Sequence, residues 1–237
     1  MARIIFAFEG LGNFNDAHLN TVTGISILNF LRLAGVNVTA DRIIAVGQPN
    51  STNLNQSRDF IFYFDWSGLA HAIDLFSLLG LANPIAPGQS LYNTLVITGH
   101  SLGGGAAWDF SHAIRKRVDT VVNLGFTIDP RNSNFILTGN ENDFAPWKHN
   151  GQTFPAAAGW INYHQNTSGW TGYALPGLAP GDDRLVTPQD FPGVSHDALL
   201  SYTTSHAAAG LAQEPAVTAM WRALQAVPFS QPALLQL

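Results

Sequence analysis

Short runs rich in Ile, Val and Phe alternate along the chain with longer stretches of helical periodicity. The short runs predict strands at 3–8, 60–64, 94–98, 120–128 and 159–164, and 42–47 predicts a further strand at a sheet edge. Helical periodicity covers residues 20–33, 68–79, 102–118 and 216–227. This alternation is typical of an α/β protein with a mostly parallel central sheet flanked by helices.

The remaining segments are candidate loops of a single domain. With 237 residues the chain is long enough to bury one large core. The segments 66–90, 132–158 and 165–192 are candidate lid or pocket loops, because compact domains rarely keep long irregular segments without a function. The helix predicted within the first of them has an apolar stripe, which we expect to pack on the sheet rather than form a lid.

Residues 99–104 read Gly-His-Ser-Leu-Gly-Gly and join a predicted strand to a predicted helix. This is the context of a G-x-S-x-G nucleophile elbow, in which a serine on a tight turn adopts a strained backbone. Gly99 and Gly103 leave the room that such a turn needs. Ser101 is therefore the candidate nucleophile, and the backbone N–H of Leu102 at the start of the helix can face an oxyanion.

A serine nucleophile needs a base, and imidazole is the usual group. His196 follows a turn late in the chain, where the order Ser, Asp, His places the base, and it is our predicted base. His100 directly precedes Ser101, so we expect its side chain to point away from the group that Ser101 must meet. His164 ends a predicted strand, and His206 opens the C-terminal helical region. The other four histidines have no supporting context: His18, His71, His112 and His149.

The base in turn needs a carboxylate to orient it and stabilise its charge. Asp129 follows the predicted strand after the elbow helix, and Pro130 ends that strand. Asp182 and Asp183 are the alternative, in a predicted loop after the following strand. The sequence favours Asp129 because a buried strand ends there. The other pair stays open, because either strand end can present a carboxylate to the same histidine.

The composition narrows the possible partners. Charged residues make up only 11% of the chain and the formal net charge is −5, which argues against a nucleic-acid partner. The chain has no cysteine, so disulfides and thiolate metal sites are excluded. No apolar stretch reaches the roughly 18 residues of a membrane span. Glu9 interrupts the first apolar run before a signal-type segment is complete. The sequence therefore slightly favours a cytoplasmic protein but does not fix the compartment.

The elbow at 99–103, together with Asp129 and His196, resembles the α/β-hydrolase superfamily in its lipase and esterase branch. The strand-Asp-Pro arrangement is similar to that of lipases whose acid follows the strand after the elbow. The segment 193–200 is similar to the histidine loop of small bacterial lipases. The resemblance implies a single α/β-hydrolase domain that acts on an ester or lipid-like small molecule without a metal or organic cofactor.

The same resemblance implies roles for particular residues. Ser101, His196 and Asp129 would form a triad that hydrolyses a carboxylic ester through an acyl-enzyme. A second oxyanion donor is implied in the loop after the first strand, where we expect the N–H of Leu11 to serve. Glu9 departs from the residue that such families often carry before this loop.

Two other classes of function are compatible with the same scaffold. Acyl transfer or thioester hydrolysis shares the triad and differs only in the acyl group and in the molecule that removes it from the serine. A binding protein that kept the hydrolase scaffold without chemistry is the non-enzymatic alternative, because a fold does not fix a function.

Overall fold

The computed structural model of the protein describes residues 3–11, 26–38, 43–45, 59–78, 95–117, 124–132, 148–149, 152–153, 160–165, 183–186, 195–201 and 215–226. The strands are β1 (Ile4–Glu9), β2 (Ile43–Ala45), β3 (Phe60–Asp65), β4 (Leu95–His100), β5 (Leu124–Ile128), β6 (Lys148–His149), β7 (Gln152–Thr153), β8 (Trp160–Gln165) and β9 (Asp183–Val186). The helices are α1 (Ile27–Leu33), α2 (Leu69–Leu78), α3 (Leu102–Arg117) and α4 (Ala216–Ala226), with 3-10 turns at Trp66–Gly68 and Ala198–Leu200.

Seven of these strands form one sheet in the order β2-β3-β1-β4-β5-β8-β9, and every neighbouring pair is parallel. Helical segments connect several of the strands, as parallel pairing requires. β6 and β7 form a separate antiparallel pair. The chain therefore has the α/β architecture that its alternating pattern predicts.

The candidate loop segments contain more regular structure than the sequence predicts. Residues 183–186 form β9, which pairs with β8 inside the segment 165–192. The prediction of a loop was wrong there because the strand is short and half charged, so it has no apolar run to reveal it. The segment 132–158 contains β6 and β7, and most of the described part of 66–90 is α2.

The two faces of the sheet carry separate cores, because successive side chains of a strand point to opposite faces. On the face that α1 and α4 cover, the buried strand residues include Ile5, Val96 and Ile128. On the face that α2 and α3 cover, they include Phe6 and Ile97. We refer to these as the α1/α4 face and the α2/α3 face.

Aromatic packing holds the α2/α3 face together. The ring of Phe6 in β1 lies 4.7 Å from that of Phe110 in α3 and 6.1 Å from that of Phe76 in α2. Phe76 and Phe110 also meet edge to face at 6.0 Å. The apolar stripe of α2 therefore packs against the sheet and α3 through Phe76 and Ala72.

A buried ion pair lies at the amino-terminal end of the sheet. The guanidinium of Arg3 donates from Nε to Asp59 Oδ1 at 2.7 Å and from Nη2 to Asp59 Oδ2 at 2.8 Å. Its Nη1 donates to the carbonyl of Leu224 in α4 at 2.9 Å. This bidentate geometry satisfies both charges and ties β1 to the start of β3 and to α4.

Candidate active site

Three neighbouring strands end at the same level, which we call the carboxyl edge of the sheet. The register places His100, the last residue of β4, beside Ile128 of β5. The next residues on β4 and β5 are Ser101 and Asp129. On β1 the corresponding residue is Gly10, and a Cβ added there would lie 3.2 Å from the Cβ of Ser101. The candidate nucleophile and acid therefore occupy adjacent positions of one row across the sheet.

Ser101 sits on the strained turn that its flanking glycines predict. Its φ angle is 56°, in the left-handed region that a serine rarely adopts, and the residue is buried. A Cβ on Gly99 would collide with the backbone of Gly103, and a Cβ on Gly103 would collide with the carbonyl groups of β1. Both glycines are thus required by close backbone approach between β1, β4 and α3.

The backbone of Ser101 is fixed on both sides of Asp129. The N–H of Ser101 donates to the carbonyl of Ile128 at 3.0 Å, and the N–H of Arg131 donates to the carbonyl of Ser101 at 2.8 Å. Asp129 itself has a φ angle of 47°. Among the described residues other than glycine, these two are the ones with positive φ, and such strain concentrates at functional sites.

Asp129 and His196 form a hydrogen-bonded pair. The Nδ1 of His196 lies 2.6 Å from Oδ2 of Asp129, and both side chains are buried. Because Nδ1 is directed to the carboxylate, Nε2 lies on the opposite side of the ring. The carboxylate thus selects the tautomer that a general base needs to accept a proton at Nε2.

Gln165, the last residue of β8, holds the same carboxylate from the other side. Its backbone N–H donates to Oδ1 of Asp129 at 2.9 Å, and its side-chain Nε2 donates to Oδ2 at 3.0 Å. The N–H of Asp129 donates to the carbonyl of Tyr163. These contacts fix the orientation of the carboxylate before it meets His196. The sequence analysis missed Gln165, because its role depends on the pairing of β5 with β8.

The structure brings one of the two alternatives for the acid to His196. Asp183 begins β9 and pairs with Asn162, three positions before the end of β8, so it starts at a lower level than the carboxyl edge. Its side chain and the whole of Asp182 lie outside the described residues. Asp129 is the carboxylate that the structure brings to His196.

The expectation that His100 points away from the site was wrong. Its ring lies 4.5 Å from that of His196, and its Nε2 is 3.2 Å from the carbonyl oxygen of His196. Since a carbonyl accepts, Nε2 carries the proton. Val96 and His100 are four residues apart in β4 and point to the same α1/α4 face, on which the turn after His196 also packs. Alternation along β4 was the signal that could have placed His100 on this face.

His100 is kept neutral by its surroundings. Burial, and then the nearby His196 and Arg131, lower its pKa well below the ordinary value, against the opposing effect of its hydrogen bond to the His196 carbonyl. Its Nδ1 is buried and has no hydrogen-bond partner in the described part of the chain. His100 therefore contacts the candidate base as an uncharged ring.

The side chains of three other histidines are described. Nδ1 of His164 lies 3.1 Å from the side-chain amide of Asn162 in the same strand. His112 packs its ring on Trp108 within α3, and His71 is exposed on α2. His18 and His206 lie outside the described residues, as does the side chain of His149.

Of the two expected oxyanion donors, Leu102 directly follows Ser101, and Leu11 follows Gly10, which borders Ser101. Leu102 is the first residue of α3, where a backbone N–H has no acceptor within the helix. Leu11 follows Gly10 at the end of β1, and its side chain is half exposed. The N–H of Gly10 donates to Oε1 of Glu9 at 3.1 Å and so is already engaged. Leu11 and Leu102 therefore stay the expected donors.

One group of side chains has the composition of a metal site. Ligand atoms of His100, His196 and Asp197 lie within 4.8 Å of one another. However, Nδ1 of His196 is bonded to Asp129, and Nε2 of His100 is bonded to a backbone carbonyl. A metal would have to use the opposite ring nitrogens, one of which is the nitrogen expected to accept a proton.

None of the described helices is long and apolar enough to cross a lipid bilayer. Comparisons of the chain with protein-family models, with curated proteins and with solved structures found no match.

Proposed function

We propose that this protein is a serine hydrolase of the α/β-hydrolase type that cleaves carboxylic esters. The observation that carries the proposal is the Asp129 to His196 hydrogen bond at the same edge of the sheet as the strained Ser101. His196 also contacts His100, the residue that precedes the serine. Two contacts thus bring the candidate base to the candidate acid and to the residue that precedes the candidate nucleophile.

In the proposed reaction, Oγ of Ser101 attacks the ester carbonyl carbon while Nε2 of His196 takes the hydroxyl proton. Asp129 stabilises the imidazolium that forms and keeps its orientation. The N–H groups of Leu11 and Leu102 bind the oxyanion of the tetrahedral intermediate. His196 then gives the proton to the leaving alcohol. Water attacks the acyl-enzyme while His196 takes a proton from it, and His196 returns that proton to Oγ of Ser101 as the acid product leaves.

Burial of the candidate pair supports this assignment over a purely structural one. A carboxylate and an imidazole on a surface would gain little from pairing, because water screens exposed charges. Here the carboxylate of Asp129 is fully buried and accepts three hydrogen bonds, from His196 and twice from Gln165. Such a network fixes an imidazole in one orientation.

The test is hydrolysis of p-nitrophenyl esters from acetate to palmitate by the wild type and by Ser101→Ala. We expect turnover in the wild type and its loss in the variant, with the optimal chain length reporting the acyl pocket. Ser111→Ala is the matched control, because Ser111 is a buried serine of α3 that donates to the carbonyl of Trp108. It should hydrolyse esters like the wild type.

Labelling with a serine-directed phosphonate gives a second readout. We expect one adduct by intact mass, located on Ser101 by peptide mapping and absent from Ser101→Ala. Absence of both hydrolysis and labelling in the folded wild type would overturn the proposal. Hydrolysis that survives in Ser101→Ala would overturn the assignment of the nucleophile.

A further inference from the structure

Glu9 is a fully buried carboxyl group at the carboxyl edge, and the proposed reaction does not use it. It is the last residue of β1 and directly precedes Gly10 and Leu11. A buried carboxyl group is costly unless its oxygens are hydrogen-bonded. Its partners therefore indicate what it holds in place.

The two oxygens of Glu9 accept hydrogen bonds from three parts of the fold. Oε1 accepts from the N–H of Gly10 at 3.1 Å. The N–H of Ile27 in α1 is shared between the two oxygens, at 3.0 Å from Oε2 and 3.2 Å from Oε1, and the hydroxyl of Tyr63 in β3 donates to Oε2 at 2.8 Å. One side chain thus joins the start of the loop after β1 to a helix and to a neighbouring strand.

This junction lies directly against the candidate nucleophile. Gly10 is close enough to Ser101 that an added Cβ would lie 3.2 Å from the Cβ of the serine. The backbone that Glu9 grips is therefore the backbone that borders Ser101. The next residue is Leu11, whose N–H is the expected second oxyanion donor.

We infer that Glu9 is a positioning residue, whose carboxyl group holds the backbone of Gly10 and Leu11 against Ser101 and so sets the geometry of the oxyanion site. This inference rests on the proposed function, because an oxyanion site has meaning only for an acyl-transfer enzyme. Glu9 acts through the backbone and makes no contact with substrate in this role.

The protonation state of Glu9 offers a direct probe of the grip. Burial raises its pKa to about 7, with a further increase from Asp65, while the hydrogen bonds from Tyr63 and the backbone oppose the shift. On β4 the titratable residue is His100, whose pKa is lowered, and on α1 it is Arg32, which donates to an asparagine of its own helix. The amide of Gly10 should therefore report ionisation of Glu9 near neutral pH.

The first experiment compares Glu9→Gln, Glu9→Leu and Tyr63→Phe in ester hydrolysis. A glutamine keeps an oxygen for the two N–H donors, so we expect kcat within about tenfold of the wild type. A leucine keeps none, and we expect kcat to fall about 100-fold with KM nearly unchanged, as when an oxyanion donor is misplaced. Tyr63→Phe leaves both N–H bonds intact and should retain the wild-type kcat.

The second experiment follows the ¹⁵N and ¹H shifts of the Gly10 amide against pH. We expect a titration with a midpoint near 7 in the wild type and also in His196→Ala, which removes the neighbouring imidazole. The titration should disappear in Glu9→Gln and move to higher pH in Tyr63→Phe, because the tyrosine hydrogen bond lowers the pKa of Glu9. This readout does not require ester hydrolysis.

The outcomes separate this inference from the proposed function. A Glu9→Leu variant that is folded and retains wild-type kcat overturns the positioning role. A Gly10 amide that does not titrate, or that still titrates in Glu9→Gln, shows that Glu9 does not hold Gly10 and overturns the inference, even if the leucine variant fails to fold. A wild type without esterase activity overturns the oxyanion part of the inference, while the amide titration still decides whether Glu9 holds Gly10.

Discussion

At the amino-terminal end of the sheet, Arg3 and Asp59 form a bidentate ion pair, and neither residue has a positive φ angle. At the carboxyl edge, Ser101 and Asp129 both have positive φ, and the buried Nδ1 of His100 has no partner in the described part of the chain. The same seven strands support both ends. One end satisfies its buried charges, whereas the other carries strain and unsatisfied polarity.

This difference divides the sheet into an end that stabilises the fold and an end that carries the proposed chemistry. Strained backbone persists only where the surrounding structure determines it fully, and it concentrates at functional sites. The ion pair and the two cores supply that surrounding structure, while the strained residues lie at the carboxyl edge. Substitutions at the two ends should therefore affect different measurable quantities.

The largest expected effect is that of Asp129→Asn on turnover. Asparagine keeps the size of the carboxylate but neither holds the neutral imidazole in the Nδ1–H tautomer nor stabilises the imidazolium, so we expect kcat to fall by about 10⁴-fold. The free energy of unfolding should fall by only about 1 kcal/mol, the order of one hydrogen bond. Steady-state kinetics and urea denaturation measure the two quantities.

Asp183→Asn is the matched control for this substitution, because it makes the same chemical change on β9. It should hydrolyse esters like the wild type. If Asp183→Asn lost activity while Asp129→Asn stayed active, the acid would have to be reassigned.

The next effect is at the opposite end of the sheet. Arg3→Leu leaves Asp59 as a buried charge without its partner, and we expect a loss of about 3–5 kcal/mol in the free energy of unfolding. Turnover per folded molecule should not change, because the ion pair lies far along the strands from Ser101. Urea denaturation and phosphonate titration of active sites measure these quantities.

The double variant Arg3→Leu, Asp59→Leu removes both charges and should recover part of the lost stability. A turnover that falls in step with the loss of the ion pair would show that the two ends are coupled. In that case the division between a stabilising end and a reactive end would be wrong.

A third effect concerns the pH dependence of stability and isolates Glu9. Its folded pKa of about 7 lies above the ordinary 4.5, so the folded state binds the proton more tightly than the unfolded state. The contribution of Glu9 to stability is therefore complete below about pH 4.5 and is lost as the pH rises to about 7, a loss of about 3 kcal/mol. Glu9→Gln should lack this loss.

Urea denaturation of the wild type and of Glu9→Gln at pH 5 and pH 8 gives the measurement. From pH 5 to pH 8, the free energy of unfolding of the wild type should fall relative to that of Glu9→Gln. Parallel pH dependences would mean that Glu9 does not bind its proton more tightly in the folded protein.

The smallest effect expected is that of Gln165→Met. Methionine removes the side-chain hydrogen bond to Asp129 but leaves the bond from the backbone N–H. We expect kcat to fall about tenfold, the order of one hydrogen bond to a charged group. A kcat equal to that of the wild type would show that the backbone bond and His196 hold the carboxylate without the side chain.

The sequence predicted the parts of this site that depend on local pattern. The elbow around Ser101 requires glycines at fixed offsets, and Asp129 is marked by a strand that stops before a proline. Most strands and helices were also predicted to within a few residues, because their apolar runs are long.

The contacts that depend on pairing between strands were not predicted. Gln165 reaches Asp129 because β8 lies beside β5, and His100 reaches His196 because both lie on the α1/α4 face. Neither relation is encoded in a short stretch of sequence. Glu9 was noted only as a departure from a pattern, because its partners come from a distant helix and strand.

The backbone hydrogen bonds on either side of Asp129 join the candidate nucleophile and the candidate acid. Ser101 donates to Ile128 and accepts from Arg131, so main-chain hydrogen bonds fix the spacing of the two strand ends. Under the proposed function, the spacing of nucleophile and acid is therefore independent of the side chains that bind a substrate. Substitutions of such side chains should change specificity without moving Ser101 relative to Asp129.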